Sequence, residues 1–234
     1  MTTSATSVPG TLDQALWPGR IVRLPGVYGP QEDSFMLAAA MSREDIGPGT
    51  ELLDLCTGSG ALALHAARLG ARVTAVDISR RAVASARLNA AMARLPLAVH
   101  RGDLMSGMAG RSFDVIVSNP PYVPAPAVPW PRRRSGLAWD AGSDGRSLLD
   151  VICEAAPAAL RPGGLLLLVH SELSRPEETV RRLGRAGLQA SVSDRMTIPF
   201  GPVTRERLPW LRDRGLLPSG RDREELVIIR ARRM

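Results

Sequence analysis

The stretch ELLDLCTGSG, residues 51–60, joins a largely apolar segment to a turn that contains two glycines. The apolar segment has the composition of a buried strand, and Gly58 and Gly60 let the backbone turn tightly into the helical pattern GALALHAARLG of residues 60–70. A strand, a glycine-containing turn and a helix in this order are typical of a βαβ unit. The stretch therefore predicts an α/β fold with ligands at the carboxyl ends of the strands.

Strand and helix patterns alternate along the rest of the chain. Further strands are predicted at residues 71–77, 97–103, 112–118, 163–170, 188–196 and 224–232, and helices at 79–95, 146–160 and 175–187. Ser79 is a suitable N-cap for the first of these helices. Continuous apolar strands between helices predict a sheet that is covered on both faces. We expect a Rossmann-like, doubly wound sheet of seven mostly parallel strands.

The ends of the chain differ from this alternating core. Residues 1–20 are predicted to form a disordered or extended tail, and residues 21–234 a single domain. An extended arm and a helix over 34–45 precede the first strand, and a helical insert at 198–222 precedes the last one. No segment approaches about 18 consecutive apolar residues, and no secretory signal is visible, so we expect a cytoplasmic protein without membrane contact.

The charge balance is basic, with a formal net charge of +7 and 30 basic residues that are all arginine. Such an excess favours anionic partners such as nucleic acid, but it is spread along the whole chain and is weak evidence for one. Cys56 and Cys153 lie in apolar segments without metal-type or redox-type spacing, so we expect two reduced thiols. The three histidines are scattered, and we expect no metal site.

Acidic residues follow successive predicted strands. Asp77 ends the second strand, where a carboxylate suits a ribose diol, and Asp103 follows the third, where it could accept a hydrogen bond from an adenine amino group. The dinucleotide fingerprint is not met, because Leu62 or Ala63 stands where its last glycine belongs, and this favours S-adenosylmethionine. The cofactor-binding residues predicted at these strand ends are Asp54, Cys56, Thr57, Gly58, Gly60, Asp77, Ile78, Gly102, Asp103 and Leu104.

The motif Asn-Pro-Pro-Tyr at residues 119–122 follows the fourth predicted strand. The side-chain oxygen of Asn119 and the carbonyl of Pro120 can accept both N–H hydrogens of a planar amine, and the prolines stiffen the loop. Tyr122 can stack on a flat amide or base. We therefore predict methyl transfer to a planar nitrogen, with Asn119, Pro120 and Tyr122 as catalytic residues and with Pro121 and Tyr122 against the substrate.

These motifs together resemble the class I S-adenosylmethionine-dependent amino methyltransferases. The chain is most similar to the HemK-like protein glutamine methyltransferases, in the short form without a helical N-terminal domain. VYGPQEDSFML (27–37) matches the arm of that form, and GLAWDAGSDGRSLLD (136–150) matches its loop and helix after the catalytic motif. The resemblance implies that Glu32, Asp33, Ser34 and Asn119 lie near the cofactor and that Trp139 contacts the substrate.

Two features depart from the family pattern. Cys56 replaces the first glycine of the usual turn, and the insert at 198–222 replaces a tight turn. The insert has Leu208, Leu211 and Leu216 on one side, and it is interpreted either as a substrate or partner surface or as a packed lid. Residues 132–134, three consecutive arginines beside the catalytic motif, are interpreted either as solvated surface or as an anion contact.

The sequence alone is compatible with three classes of methyl acceptor. The resemblance favours a glutamine side chain of a protein, such as the Gly-Gly-Gln loop of a peptide-chain release factor, with S-adenosylhomocysteine as the by-product. An adenine amine in rRNA or DNA presents the same flat NH2 group, and a small molecule of specialised metabolism is the third acceptor. Short HemK-like proteins of eukaryotes and archaea also work with a small zinc-binding partner, and the sequence carries no signal for an oligomeric state.

Overall fold

The computed structural model describes residues 17–126 and 141–234 and contains one sheet of seven strands. The strands are β1 (Glu51–Leu55), β2 (Arg72–Asp77), β3 (Leu97–Arg101), β4 (Phe113–Ser118), β5 (Leu160–Ser171), β6 (Leu188–Pro199) and β7 (Arg223–Arg233). Their order in the sheet is β3-β2-β1-β4-β5-β7-β6. Strands β1 to β5 pair in parallel, and β7 is antiparallel to β5 and β6. This confirms the predicted seven-stranded, mostly parallel sheet.

Helices cover both faces of the sheet, as the continuous apolar strands predict. They are α1 (Glu32–Met41), α2 (Ala61–Arg68), α3 (Arg80–Ala93), α4 (Ser147–Ala159), α5 (Pro176–Arg185) and α6 (Pro202–Asp213). Apolar residues of α1, α2 and α3 form one core cluster with the sheet, and those of α4 and α5 form a second on the opposite face. Within the described residues, no helix has the length and apolar character needed to span a membrane.

Local chemistry explains several element boundaries. The Ser79 side chain accepts a hydrogen bond from the Ala82 N–H over 3.4 Å, which is the predicted N-cap of α3. Gly60 has φ of 84°, and a Cβ atom there would lie 2.9 Å from the Cβ of Ala86. This glycine therefore lets α2 begin in close contact with α3. Helix α1 begins at Glu32, earlier than predicted, because Glu32 and Asp33 suit the positive end of a helix.

The insert before the last strand is a packed helix. Ile198 and Pro199, placed in the insert by the sequence, belong instead to β6, because they continue its pairing with β7. Helix α6 then packs through Leu211, which is fully buried, against Phe200 and Leu217. Leu208 and Leu216 lie beside this third core cluster, as their spacing predicts. The insert is thus part of the folded body, and its position relative to the cavity decides its role.

Candidate active site

A cavity of about 890 Å³ opens at the carboxyl ends of the parallel strands. Its walls come from the turn after β1, the ends of β2, β3 and β4, the arm before α1, and the segment from the end of β6 through α6 to β7. A cavity of this size holds a drug-sized ligand. The predicted site residues that line it are Glu32, Asp33, Cys56, Gly58, Asp77, Ile78, Gly102, Asp103, Leu104, Asn119, Pro120, Pro121 and Tyr122.

Asp77 faces the cavity from the end of β2. Its Oδ2 accepts the Gly58 N–H over 2.9 Å, and its Oδ1 accepts the Ser79 N–H over 2.8 Å. Burial raises the pKa of this carboxyl above its ordinary value, and the two backbone hydrogen bonds oppose that shift. Each oxygen keeps a further lone pair, so the carboxylate is held in place and can still accept hydroxyl groups from a ribose.

The floor of the turn is held by a buried carboxylate. Asp54 is fully buried and its Oδ2 accepts the Thr57 hydroxyl over 2.6 Å, while its Oδ1 has no partner among the described residues. Burial raises the pKa of Asp54 to about 7, although the Thr57 hydrogen bond lowers it. The backbone of Cys56 is left-handed, with φ of 57°. Glycine adopts this conformation without strain, which explains why the family usually has a glycine at this position.

Some predicted cofactor residues lie next to the cavity and not on it. Ser34 and Thr57 line a small adjoining pocket that shares Tyr28, Cys56 and Asn119 with the main cavity. Asp54 lies beneath the turn, and the close contact of Gly60 is with α3. Direct cofactor contact by Asp54 and Gly60 therefore stays a prediction, and the structure gives each of them a role in shaping the turn.

Asp33 links the arm, helix α1 and the catalytic loop. Its carboxylate accepts the Tyr28 hydroxyl over 2.5 and 2.6 Å and the Tyr122 hydroxyl over 3.0 Å. It also accepts the backbone N–H of Ser34 over 2.6 Å. Burial, then the charge of Asp33, raises the pKa of both tyrosines, so both hydroxyls stay protonated and keep donating. Tyr122 is therefore held in place by Asp33 at the start of α1.

Asn119 is oriented by the first turn of α1. Its Nδ2 donates to the Ser34 hydroxyl over 3.3 Å. Because Nδ2 points to Ser34, the acceptor oxygen Oδ1 is directed away from it, and Asn119 lines the cavity. A side-chain amide whose donor end is occupied presents its acceptor end, which is the end needed to receive an N–H group.

The sequence analysis missed the contribution of the β6–β7 segment to the site. Glu224 and Thr204 line the cavity, both nearly completely buried, and the Thr204 hydroxyl donates to Glu224 Oε1 over 3.1 Å. Arg207 of α6 donates from Nη1 to the carbonyls of Val123 (3.0 Å) and Pro124 (3.2 Å), directly after the catalytic motif. The amphipathic pattern of the insert located the helix, but no local signal pointed to these contacts.

Trp139 and the three arginines at 132–134 lie outside the described residues, so their predicted roles stay predictions. In the described part of the chain, no three His, Cys, Asp or Glu residues converge as metal ligands would. Asp77, Asp103 and the open turn at Gly58 fit the adenosine half of S-adenosylmethionine, since they offer acceptors and a close backbone approach. The residues present therefore fit the predicted cofactor.

The chain is similar to known methyltransferase sequences. The profile of the family described as "Methyltransferase small domain" matches residues 19–128. A putative protein N5-glutamine methyltransferase of Methanocaldococcus jannaschii is 32% identical over 177 residues, which cover 75% of this chain and 88% of that protein. The release factor glutamine methyltransferase of Deinococcus radiodurans is 43% identical over 62% of this chain, but only 54% of that protein is covered. The chain thus spans nearly all of the archaeal relative and about half of the bacterial one.

Solved structures agree with the fold. A chain of the E. cuniculi Mtq2-Trm112 complex, described as responsible for methylation of the eRF1 translation termination factor, matches with a TM-score of 0.63 and 26% identity. The match covers 89% of this chain and 99% of that chain. The T. thermophilus 16S rRNA N2 G1207 methyltransferase in complex with AdoMet and guanosine has a TM-score of 0.58 and 24% identity, over 91% of this chain and 46% of that one. That second likeness shows a shared fold.

Proposed function

Since the chain belongs to the HemK-like family of protein glutamine methyltransferases, we propose that it methylates the side-chain amide nitrogen of a glutamine in a peptide-chain release factor. The cofactor is S-adenosylmethionine, which supplies a methyl group activated on its sulfonium. The observation that carries the proposal is the orientation of Asn119, whose donor end is held by Ser34 at the edge of the cavity. We place the reaction in the cytoplasm, where translation termination occurs.

Strand order separates the cavity into two halves. The ends of β1, β2 and β3 carry the turn, Asp77 and Asp103, and they lie on one side of β4. Strands β5, β7 and β6 lie on the other side of β4, and the wall from Ile198 to Arg205 is on that side. Asn119 follows β4 itself, so it stands between a cofactor half and a substrate half.

The chemical difficulty is that an amide nitrogen is a poor nucleophile, because its lone pair is delocalised into the carbonyl. Asn119 Oδ1 and the Pro120 carbonyl each accept one N–H of the substrate amide, which holds the NH2 group in one orientation. The two prolines restrict the backbone, so little reorganisation accompanies the reaction. Positioning of this kind brings the nitrogen into line with the methyl group and accounts for a large part of the rate.

Tyr122 completes the substrate side of the motif. Its hydroxyl is bound to Asp33, so the ring is held at the cavity wall and presents a flat surface to the substrate amide. The arm before α1 is therefore part of the catalytic machinery, because Tyr28 and Asp33 fix the ring that packs on the substrate. The same arm positions Ser34, which orients Asn119.

The test is transfer of labelled methyl groups from S-adenosylmethionine to a purified release factor, with rRNA and DNA in separate reactions. We expect label on the release factor at a glutamine, identified by mass spectrometry as a gain of one methyl group on that residue. Label on rRNA or DNA and none on the release factor would replace the proposal by adenine methylation. Asn119→Ala is the control for transfer that depends on the motif.

A further inference from the structure

Glu224 lies in the wall of the cavity, and its buried carboxylate takes no part in the mechanism proposed for the Asn-Pro-Pro-Tyr motif. The residue lies in β7, is 3% exposed and lines the cavity. Its Oε1 accepts the Thr204 hydroxyl over 3.1 Å, whereas its Oε2 has no partner among the described residues. Burying a carboxylate oxygen without a partner costs stability, so this position is adapted to something other than the stability of the free protein.

The carboxyl lies in the substrate half of the cavity. Strand β7 is separated from the cofactor half by β5 and β4, and Ile198, opposite Glu224 in β6, also lines the cavity. Glu224 lines the same cavity as Asn119 and Tyr122 of the Asn-Pro-Pro-Tyr motif. The carboxyl therefore faces the half of the cavity in which we place the substrate amide.

The insert keeps this carboxyl in place. Thr204, whose hydroxyl donates to Glu224, belongs to the first turn of α6. Burial raises the pKa of the carboxyl, and nearby donors on Ser171, Thr204 and Gly201 oppose that shift, although only the Thr204 hydroxyl meets hydrogen-bond geometry with the carboxyl, and it does so at Oε1. Helix α6 is tied to the catalytic loop by the two hydrogen bonds from Arg207. Loop, helix and carboxyl therefore form one connected wall.

A polypeptide substrate carries main-chain N–H donors, and Oε2 of Glu224 has no donor in the described residues. Every residue other than proline has a main-chain N–H, and a segment that inserts a glutamine side chain brings the N–H groups of its neighbours against the wall. We propose that a small rotation of the Glu224 carboxyl brings Oε2 to the surface of the cavity, where it accepts a hydrogen bond from a main-chain N–H of the substrate segment, so that Glu224 is a positioning residue for polypeptide substrates. This inference rests on the proposed function, because it assumes a protein substrate.

The experiment compares wild type, Glu224→Met and Glu225→Met in steady-state methylation of a release factor at saturating S-adenosylmethionine. Methionine has the length of glutamate without its oxygens. Glu225 is the matched control, since it is the next residue of β7, does not line the cavity and pairs with Arg195 at the surface. For Glu224→Met we expect kcat/KM to fall about tenfold or more, mainly through KM, with unchanged cofactor affinity.

Thermal unfolding of the free variants separates positioning from a structural role. Glu224→Met also removes Oε1, the acceptor of the buried Thr204 hydroxyl, so the stability test uses Glu224→Gln, which keeps an acceptor oxygen for Thr204 and loses the unpartnered one. The melting temperature of Glu224→Gln should equal or exceed that of wild type. A clearly lower melting temperature of Glu224→Gln, or a wild-type KM in Glu224→Met, overturns the inference while leaving the proposed function intact. Glu224→Asp, which keeps the charge but shortens the side chain, is the second variant, and it should also raise KM. If wild type transfers no methyl to the release factor, the proposed function itself fails and the inference with it.

Discussion

The Nδ2 of Asn119 donates to the Ser34 hydroxyl over 3.3 Å, across 85 positions of the chain. This bond joins the first turn of α1 to the loop after β4. The side-chain amide of Asn119 is therefore oriented by a helix that precedes the whole sheet in sequence. An amide in one fixed orientation loses little entropy when it receives the substrate, which is the advantage of a preorganised site.

Removing the orienting hydroxyl should slow the chemical step. In Ser34→Ala the Asn119 amide can rotate, so we expect kcat to fall about tenfold with little change in cofactor affinity. Ser42→Ala is a matched control, because Ser42 caps the other end of α1 and bonds to Ala38 and His65 away from the cavity. Single-turnover methylation measures the effect, and an equal loss in both variants would show that only helix stability matters.

Removing the acceptor itself should have a larger effect. For Asn119→Ala we expect kcat to fall by about 10²- to 10³-fold, because one preorganised acceptor of the substrate amine is gone. Cofactor affinity, measured by calorimetry, should stay close to that of wild type. Residual turnover near the wild-type rate would assign the acceptor role to another group.

The contact of α6 with the catalytic loop should also support turnover. In Arg207→Met the carbonyls of Val123 and Pro124 lose a donor and the loop loosens, so we expect kcat to fall about tenfold and thermal stability to fall as well. Arg212→Met is the matched control on the same helix, since its side chain is exposed and bonds only weakly to the Arg221 carbonyl. If both variants behave alike, the helix as a whole and not the Arg207 contact supports the loop.

Because the backbone at Cys56 is left-handed, the free energy of unfolding should depend strongly on which side chain stands there. A β-branched residue is strained at φ of 57°, whereas glycine is not. We expect Cys56→Val to be less stable than Cys56→Gly by about 2 kcal/mol in urea unfolding. Cys153→Val in helix α4 is the control. The backbone of Cys153 is helical, so replacing this cysteine by valine should cost little stability. Equal stability of the two Cys56 variants would contradict the strain.

The buried His170 should make the stability depend on pH. Burial lowers the pKa of its imidazole from 6.5 to about 4, and Nδ1 is within 2.9 Å of the Ser171 carbonyl. Between these two pH values the imidazole is protonated in the unfolded chain but neutral in the folded chain. The free energy of unfolding therefore falls as pH falls from 6.5 towards about 4, by about 3 kcal/mol in total.

The measurement is urea unfolding of wild type and His170→Leu across that pH range. Asp54 contributes the opposite slope, because its raised pKa makes stability fall as pH rises from 3.8 to about 7. The Asp54 contribution cancels when the free energy of unfolding of His170→Leu is subtracted from that of wild type. This difference should become smaller or more negative as pH falls, because only the wild type loses the His170 contribution. A difference that is constant with pH would mean that His170 titrates normally in the folded state.

Much of the fold and of the cofactor half followed from local patterns. The turn after β1, the Ser79 cap and the acid at the end of β2 are each set by neighbouring residues, and parallel strands bring their carboxyl ends to one edge. The place of the Asn-Pro-Pro-Tyr motif on the cavity was predictable for the same reason, because the motif directly follows β4. These parts of the site need only the alternation of strands and helices.

The substrate half depends on contacts that no local pattern encodes. Glu224 reaches the cavity only because β7 inserts between β5 and β6, and Arg207 reaches Val123 across 84 positions of the chain. Asp54 and Gly60 show a further limit, since their motif was recognisable but Asp54 lies beneath the turn, bonded to Thr57, and Gly60 packs against α3. The motif alone does not tell which of its residues line the cavity.

The place of β7 in the sheet bears on how the enzyme is made. This strand is the last in chain order, yet it lies between β5 and β6, and β6 joins the sheet only through it. Strands β1 to β4, which carry the turn, Asp77, Asp103 and Asn119, are all synthesised before β7. During translation the chain can therefore form the opposite wall of the cavity only after β7 has been made, since β6 pairs with β7.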